Sequence, residues 1–312
     1  MQLVSVKLTE EKQVNIRKWM DQYVPMLSEQ RKDLKAKRGF KEDLKKGIPL
    51  EIRGEVWTHF VGNKLRITPV LFDSLLARVR LADKNLNDFP GYKKNVKVID
   101  VDLHRTFTDL SMFRQGAIYH QSLRNILCAF SLFRPDMGYV QGMSYIAGTL
   151  LIHLNDEYAT FFVFSNLMQE YLLFTFYSFD MPKVNILFNV FMRLVKSHIP
   201  KLYTVMQDLG LQCSVFLFEW VVAVFSNILP LTLSARLWDS WLFYGEVYFM
   251  KICLAIGLCL LDKVTAGGYE MLIILFKGID KQISEEALFA KIDLIRLTTK
   301  TYVSVKQEVM ND

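Results

Sequence analysis

Three short polar islands interrupt an otherwise apolar chain, and their side chains are of kinds that bind or polarise charged groups. They are Arg53-Gly54-Glu55-Val56-Trp57, Ile99-Asp100-Val101-Asp102-Leu103-His104-Arg105-Thr106 and Gly138-Tyr139-Val140-Gln141-Gly142-Met143. In the second, the spacing of Asp102 and Arg105 puts both on one face of a helix, where the carboxylate can hold the guanidinium in a fixed direction. That is a cation aimed in advance. In the third, Gly138 and Gly142 flank Tyr139 and Gln141. Glycines allow close backbone approach, and in an extended segment a two-residue spacing predicts that Tyr139 and Gln141 point to one side. Taken singly, Arg105 reads as an ordinary intrahelical ion pair with Asp102, and Gln141 as a turn or capping amide. Arg53 and Trp57 read as a buried packing and hydrogen-bonding post.

Other chemistries leave no trace in the sequence. A Walker A loop, GxSxG, HExxH, a dinucleotide glycine fingerprint and an EF-hand loop are all absent. His59, His104, His120, His153 and His198 have no metal-ligand spacing. Cys128, Cys213, Cys253 and Cys259 sit in or beside apolar helical segments without CxxC spacing, so they read as buried, reduced thiols.

The elements that must position these islands are helical. With 51% apolar residues and 23 Phe, the composition is that of a folded interior rather than of disorder. Thr9 followed by Glu10 and Glu11 predicts a helix start, with the helix running through Trp19 and Tyr23 until Pro25 interferes. Apolar residues recur at helical spacing over 51–60, 71–86, 121–133, 145–154, 157–176 and 184–195. The same holds over 202–209, 216–228, 233–244, 248–261, 269–276 and 285–297, punctuated by Pro230, Gly245 and the pair Gly267 and Gly268. Strand signals are nearly missing. The expectation is an all-α, bundle-like domain of about fourteen to sixteen helices.

Two apolar runs raise the question of a membrane span, but 215–229 is broken by Glu219 and 252–261 stops at Asp262, so both read as core helices. The N-terminus lacks the pattern of a secretory signal, which predicts a cytoplasmic chain. Net charge is +6, with eight Lys/Arg between Arg31 and Lys46 against Asp33, Glu42 and Asp43. That run reads as a solvated helix face, the alternative being weak attraction to anionic headgroups or an acidic partner. Without interleaved aromatics it does not suggest nucleic acid.

Taken together and in this order, RGEVW, IDVDLHR and YVQGM resemble the signature motifs RGxxW, IxxDxxR and YxQ of the TBC-domain Rab GTPase-activating proteins. The similarity extends through GIPLEIRGEVWTHFVGNKL, FRPDMGYVQGMSYIAG and the segment Ser234 to Leu242. The stretch GNKLRITPVLFD also resembles a subgroup associated with recycling endosomes and autophagy, though no substrate follows from it. The resemblance implies a two-lobed, V-shaped, all-helical TBC domain over residues 44–300, with an N-lobe of about 44–165 holding all three motifs and a C-lobe of about 166–300. Residues 1–43 would be a helical, basic extension and 301–312 a tail. It implies that Arg105 is an arginine finger and Gln141 a glutamine finger, with Asp102, Tyr139, Gly142, Arg53 and Trp57 in support. The partner would be a GTP-bound Rab in vesicle trafficking. GTP and Mg²⁺ would belong to that Rab, so the chain would need no cofactor or metal of its own. A monomer, peripheral on endomembranes at most, is implied. A non-catalytic Rab-binding effector or scaffold is the alternative.

Overall fold

A computed structural model of the chain describes residues 10–265, 268–279 and 283–311. Every regular element among them is helical, and nineteen α-helical segments follow one another with short connections. No helix among the described residues is long and apolar enough to cross a membrane. Cys128, Cys213, Cys253 and Cys259 are free thiols, and the first three are buried.

The count exceeds the expected one because the leading helix, the charged stretch and one apolar run each divide, and a helix follows residue 298; another apolar run ends early. The run 157–176 divides into helices Glu157–Leu167 and Tyr171–Tyr177. The charged stretch divides at Lys37, whose extended backbone separates Arg31–Ala36 from Arg38–Lys46. The run 216–228 ends as a helix at Ala223, because Val224 and Phe225 turn left-handed at φ 44° and 64°. A β-branched residue there is strained, and the turn is held by Trp238 Nε1 donating to the Val224 carbonyl at 2.9 Å. Helix Thr299–Asn311 occupies most of the segment expected as a tail, and it packs on helix Met181–His198.

The leading helix also departs from expectation. Thr9 and Gly267 lie outside the described residues. The α-helix Glu10–Lys18 passes into a π-helical turn at Trp19–Tyr23 and continues as Val24–Glu29, with Pro25 in its first turn. Proline fits a first helical turn because that position needs no intrahelical N–H, and the widened π turn makes room for the ring. The turn aims Trp19 and Tyr23 at Phe40, with ring centroids 5.6 and 5.1 Å away. Arg31 then donates to the carbonyls of Phe60, Leu242 and Phe243 at 2.7–2.9 Å, so its charge closes two helix ends rather than facing solvent.

Arg53 and Trp57 lie on helix Leu50–Val61, where both are buried. Their partner is Asp239 of helix Leu231–Tyr244, 186 residues away from Arg53 in the chain and fully buried. Asp239 accepts from Arg53 Nε at 3.1 Å, Trp57 Nε1 at 2.9 Å and the Ile48 backbone N–H at 2.9 Å. Burial pushes its carboxyl up to about 6, and the Arg53 charge and these donors oppose the shift. A buried carboxylate is tolerable only when so surrounded. This post joins the first island, and Ile48 just before it, to the second half of the chain.

On the other side of the same helix, Gly54 lets the backbone of helix Met143–Leu154 approach, since a Cβ at 54 would overlap the His153 carbonyl. The His153 ring packs on Trp57 at 4.8 Å, and neither nitrogen has a hydrogen-bond partner among the described residues. Burial, with Arg53 adding, pushes its pKa down to about 3.

Two outcomes follow from these contacts. Arg53→Ala leaves the Asp239 charge without its cation and should cost about 3–5 kcal/mol in urea unfolding. His153 stays neutral when folded but protonates below about 6.5 when unfolded, so stability should fall as pH drops from about 6.5 toward about 3. Against His153→Leu, the wild type should show an extra slope approaching ~1.4 kcal/mol per pH unit; parallel curves would contradict the assignment.

Candidate functional site

The second and third islands meet at one carboxylate. Asp102 lies in the last turn of helix Pro90–Leu103, and its side chain is 4% exposed. Its Oδ1 accepts from Arg105 Nη2 at 2.7 Å, as the spacing predicts. Arg105 itself stands beyond the helix end, in a turn whose backbone N–H donates to the Asp102 carbonyl at 3.0 Å. A cation there is favoured by the negative end of the helix. The Arg105 side chain is 52% exposed, and its other nitrogens have no hydrogen-bond partner among the described residues.

The other oxygen, Asp102 Oδ2, faces the third island. It accepts from Tyr139 Oη at 2.5 Å and from the Gly142 backbone N–H at 3.1 Å, with Ser144 Oγ at 3.5 Å. Gly142 precedes helix Met143–Leu154 in a left-handed conformation at φ 100°. The carboxylate therefore sits at a helix N-terminus, where the free N–H groups and the dipole favour negative charge. A side chain at 142 would be strained by that φ and would press on Val222. Val222 in turn is held by Tyr177, whose hydroxyl donates to its carbonyl.

Tyr139 and Gln141 do not point to one side. Tyr139 is buried against Asp102, while Gln141 is exposed and its amide has no hydrogen-bond partner among the described residues. The extended alternation fails because the chain turns at Gln141 and Gly142 to start the helix. Burial pushes the Tyr139 hydroxyl well above its ordinary pKa, and the Asp102 charge adds to this, so it remains a donor. Arg53 and Trp57 stand apart from this cluster, at Asp239, and reach it only through the packing of Gly54 and His153 on helix Met143–Leu154.

Several members of the cluster carry no motif signal. Asn95, two turns before Asp102 on the same helix, accepts the Tyr139 backbone N–H at 3.2 Å. Thr106 Oγ1 bridges the Asp102 carbonyl at 2.8 Å and Ser144 Oγ at 2.7 Å. Tyr145 Oη donates to the Arg105 carbonyl at 3.0 Å. Asn95 and Asp102 share a helix face, and that spacing is the one sequence signal for Asn95. No group of His, Cys, Asp and Glu among the described residues is arranged to hold a metal ion. Chemically, the cluster presents an unfilled guanidinium and a free amide on two backbone segments fixed to one buried charge.

A family model described as the Rab-GTPase-TBC domain matches residues 50–263. The human protein TBC1 domain family member 14 is 32% identical over 267 residues, covering 81% of this chain and 38% of that protein. The chain thus spans about two fifths of the length of the curated relatives it matches first. Among solved structures, the Chlamydomonas flagellar RabGAP TBC domain superposes with a TM-score of 0.68 at 23% identity, over 90% of this chain and 92% of that one. The Ypt/Rab-GAP domain of Gyp1p gives 0.66 at 18% identity, over 94% and 99%.

Tyr139→Phe removes one donor to a buried carboxylate and should cost about 1.5–3 kcal/mol in denaturant unfolding. Amide exchange at Gly142 should quicken in the same variant, since the second donor to that oxygen loses its neighbour; unchanged exchange and stability would contradict the clamp.

Proposed function

The chain belongs to the Rab-GTPase-TBC domain family, and from that premise we propose that it accelerates GTP hydrolysis on a Rab-type small GTPase, inserting Arg105 and Gln141 into the partner's site. The observation that carries this reading is the Asp102 clamp. One buried carboxylate holds the Arg105 guanidinium through one nitrogen and the backbone N–H that follows Gln141, yet leaves the rest of the guanidinium half exposed and the amide free.

The chemistry suits those two groups. Transfer of the γ-phosphoryl group to water spreads negative charge over its oxygens and the leaving bridge oxygen, which a GTPase alone stabilises poorly. Arg105 offers a planar, always-protonated fork for two of those oxygens, a geometry lysine lacks. With Nη2 on Asp102, the remaining nitrogens can meet phosphate without leaving their anchor. Gln141 carries a donor and an acceptor on one amide, so it can accept from the attacking water and donate to the phosphate or a backbone group of the GTPase. Both groups are placed before the partner arrives, so little reorganisation is needed at the moment of reaction. The nucleotide and Mg²⁺ are the partner's in this scheme, and the protein acts on GTP-loaded Rab in vesicle trafficking.

Single-turnover GTP hydrolysis across a panel of purified Rabs tests the proposal. Wild-type protein should accelerate one or a few of them, and Arg105→Ala should lose roughly 10³ to 10⁵-fold. Arg105→Lys should fail nearly as badly, and Gln141→Ala should also lose most of the acceleration. No acceleration on any Rab, with GTP-dependent binding retained, would replace this reading by that of a binding-only module.

A further inference from the structure

The basic stretch before the first island contributes to a second, separate feature. Lys35, Lys41 and Lys45 line a cavity of about 330 Å³ together with Lys251 of helix Glu246–Thr265. Against these four lysines the wall carries a single carboxylate, Asp293, which pairs with Lys45 at 2.8 Å. Lys251 Nζ has no hydrogen-bond or ion-pair partner among the described residues. Tyr244 and Tyr248, stacked at 5.8 Å, form another wall. Thr298 and Thr299 complete it, at the point where helix Thr299–Asn311 begins.

From this geometry we propose that the cavity binds a compact, multiply phosphorylated anion of the inositol phosphate class, free in solution or as the headgroup of a membrane lipid. Lysines from three separate helices line it, a concentration of like charge that is costly without an anion and favourable with one. Burial pushes both Lys251 and Lys35 below their ordinary pKa, with Lys45 adding to the first and Arg31 to the second. Asp293 opposes the shift at Lys251 but is shared with Lys45. The volume lies at the small end of ligand pockets, room for one phosphorylated ring. Leu294, next to Asp293, is 68% exposed and suits contact with acyl chains if the source is a lipid. None of these residues belongs to the Asp102 cluster, so the site stands independently of the proposed GTPase activation.

The test uses inositol 1,4,5-trisphosphate in calorimetry, and flotation with vesicles containing phosphatidylinositol 4,5-bisphosphate or phosphatidylserine at equal total charge. The soluble headgroup should bind, and Lys251→Gln and Lys41→Ala should each weaken it about tenfold, the loss of one charge-assisted phosphate contact. Lys32→Ala, outside the cavity, should change nothing. Lys41 is exposed, so its variant folds even where Lys251→Gln does not. A gain on the bisphosphate vesicles over phosphatidylserine assigns the site to a lipid; headgroup binding without that gain assigns it to a free inositol phosphate. Absence of headgroup binding, or binding that both cavity variants leave intact, overturns the proposal.

Discussion

A carboxylate taken out of water must find its hydration replaced, and the arrangement of the candidate site follows from how Asp102 does so. Its donors come from three places: the turn after its own helix, the Tyr139 side chain and the backbone entering helix Met143–Leu154. Losing any one leaves lone pairs buried and unpaired, at a cost of about 1–3 kcal/mol each. The two exposed side chains therefore inherit their positions from a charge that neither displays to solvent. Asp102 also lies between two helix ends of opposite polarity: the negative end of its own helix favours Arg105, and the positive end of the next favours the carboxylate.

The same physics recurs at Asp239. There a fully buried carboxylate gathers Arg53, Trp57 and the Ile48 backbone, and so joins the beginning of the domain to a helix far along the chain. The two posts communicate through packing: helix Leu50–Val61 crosses closely over helix Met143–Leu154 at Gly54, and Met143–Leu154 starts at the Asp102 clamp. The first island thus serves the scaffold, as its buried arginine and tryptophan suggest, while the second and third carry the exposed groups.

Much of this was legible in the sequence, for identifiable reasons. Helical periodicity and the punctuating prolines and glycines reveal most helices, and a three-residue spacing reveals the Asp102–Arg105 pair. What stayed hidden depends on contacts across the chain or on local backbone choices. Asp239 has no local partner that would mark it. The left-handed turn at Val224 and Phe225 runs against the preference of a β-branched residue, and tertiary hydrogen bonds to Val222 and Val224 hold it. The separation of Tyr139 from Gln141 follows from a turn that a two-residue spacing does not reveal. The π turn at Trp19–Tyr23 likewise answers to Phe40 and to Pro25 rather than to periodicity.

Binding to a responsive Rab loaded with GDP and aluminium fluoride would reveal whether one buried carboxylate holds Arg105 and Gln141 toward a partner's phosphate, as proposed. That complex mimics the transferring phosphoryl group, and such mimics gain affinity from the groups that stabilise the transition state. Asp102→Asn should weaken binding to the fluoride complex while leaving affinity for the GDP form unchanged, and adding Arg105→Ala should weaken it by less than the two separate losses combined. Equal affinity of wild type and Asp102→Asn for the fluoride complex would show that the carboxylate does not position the two groups.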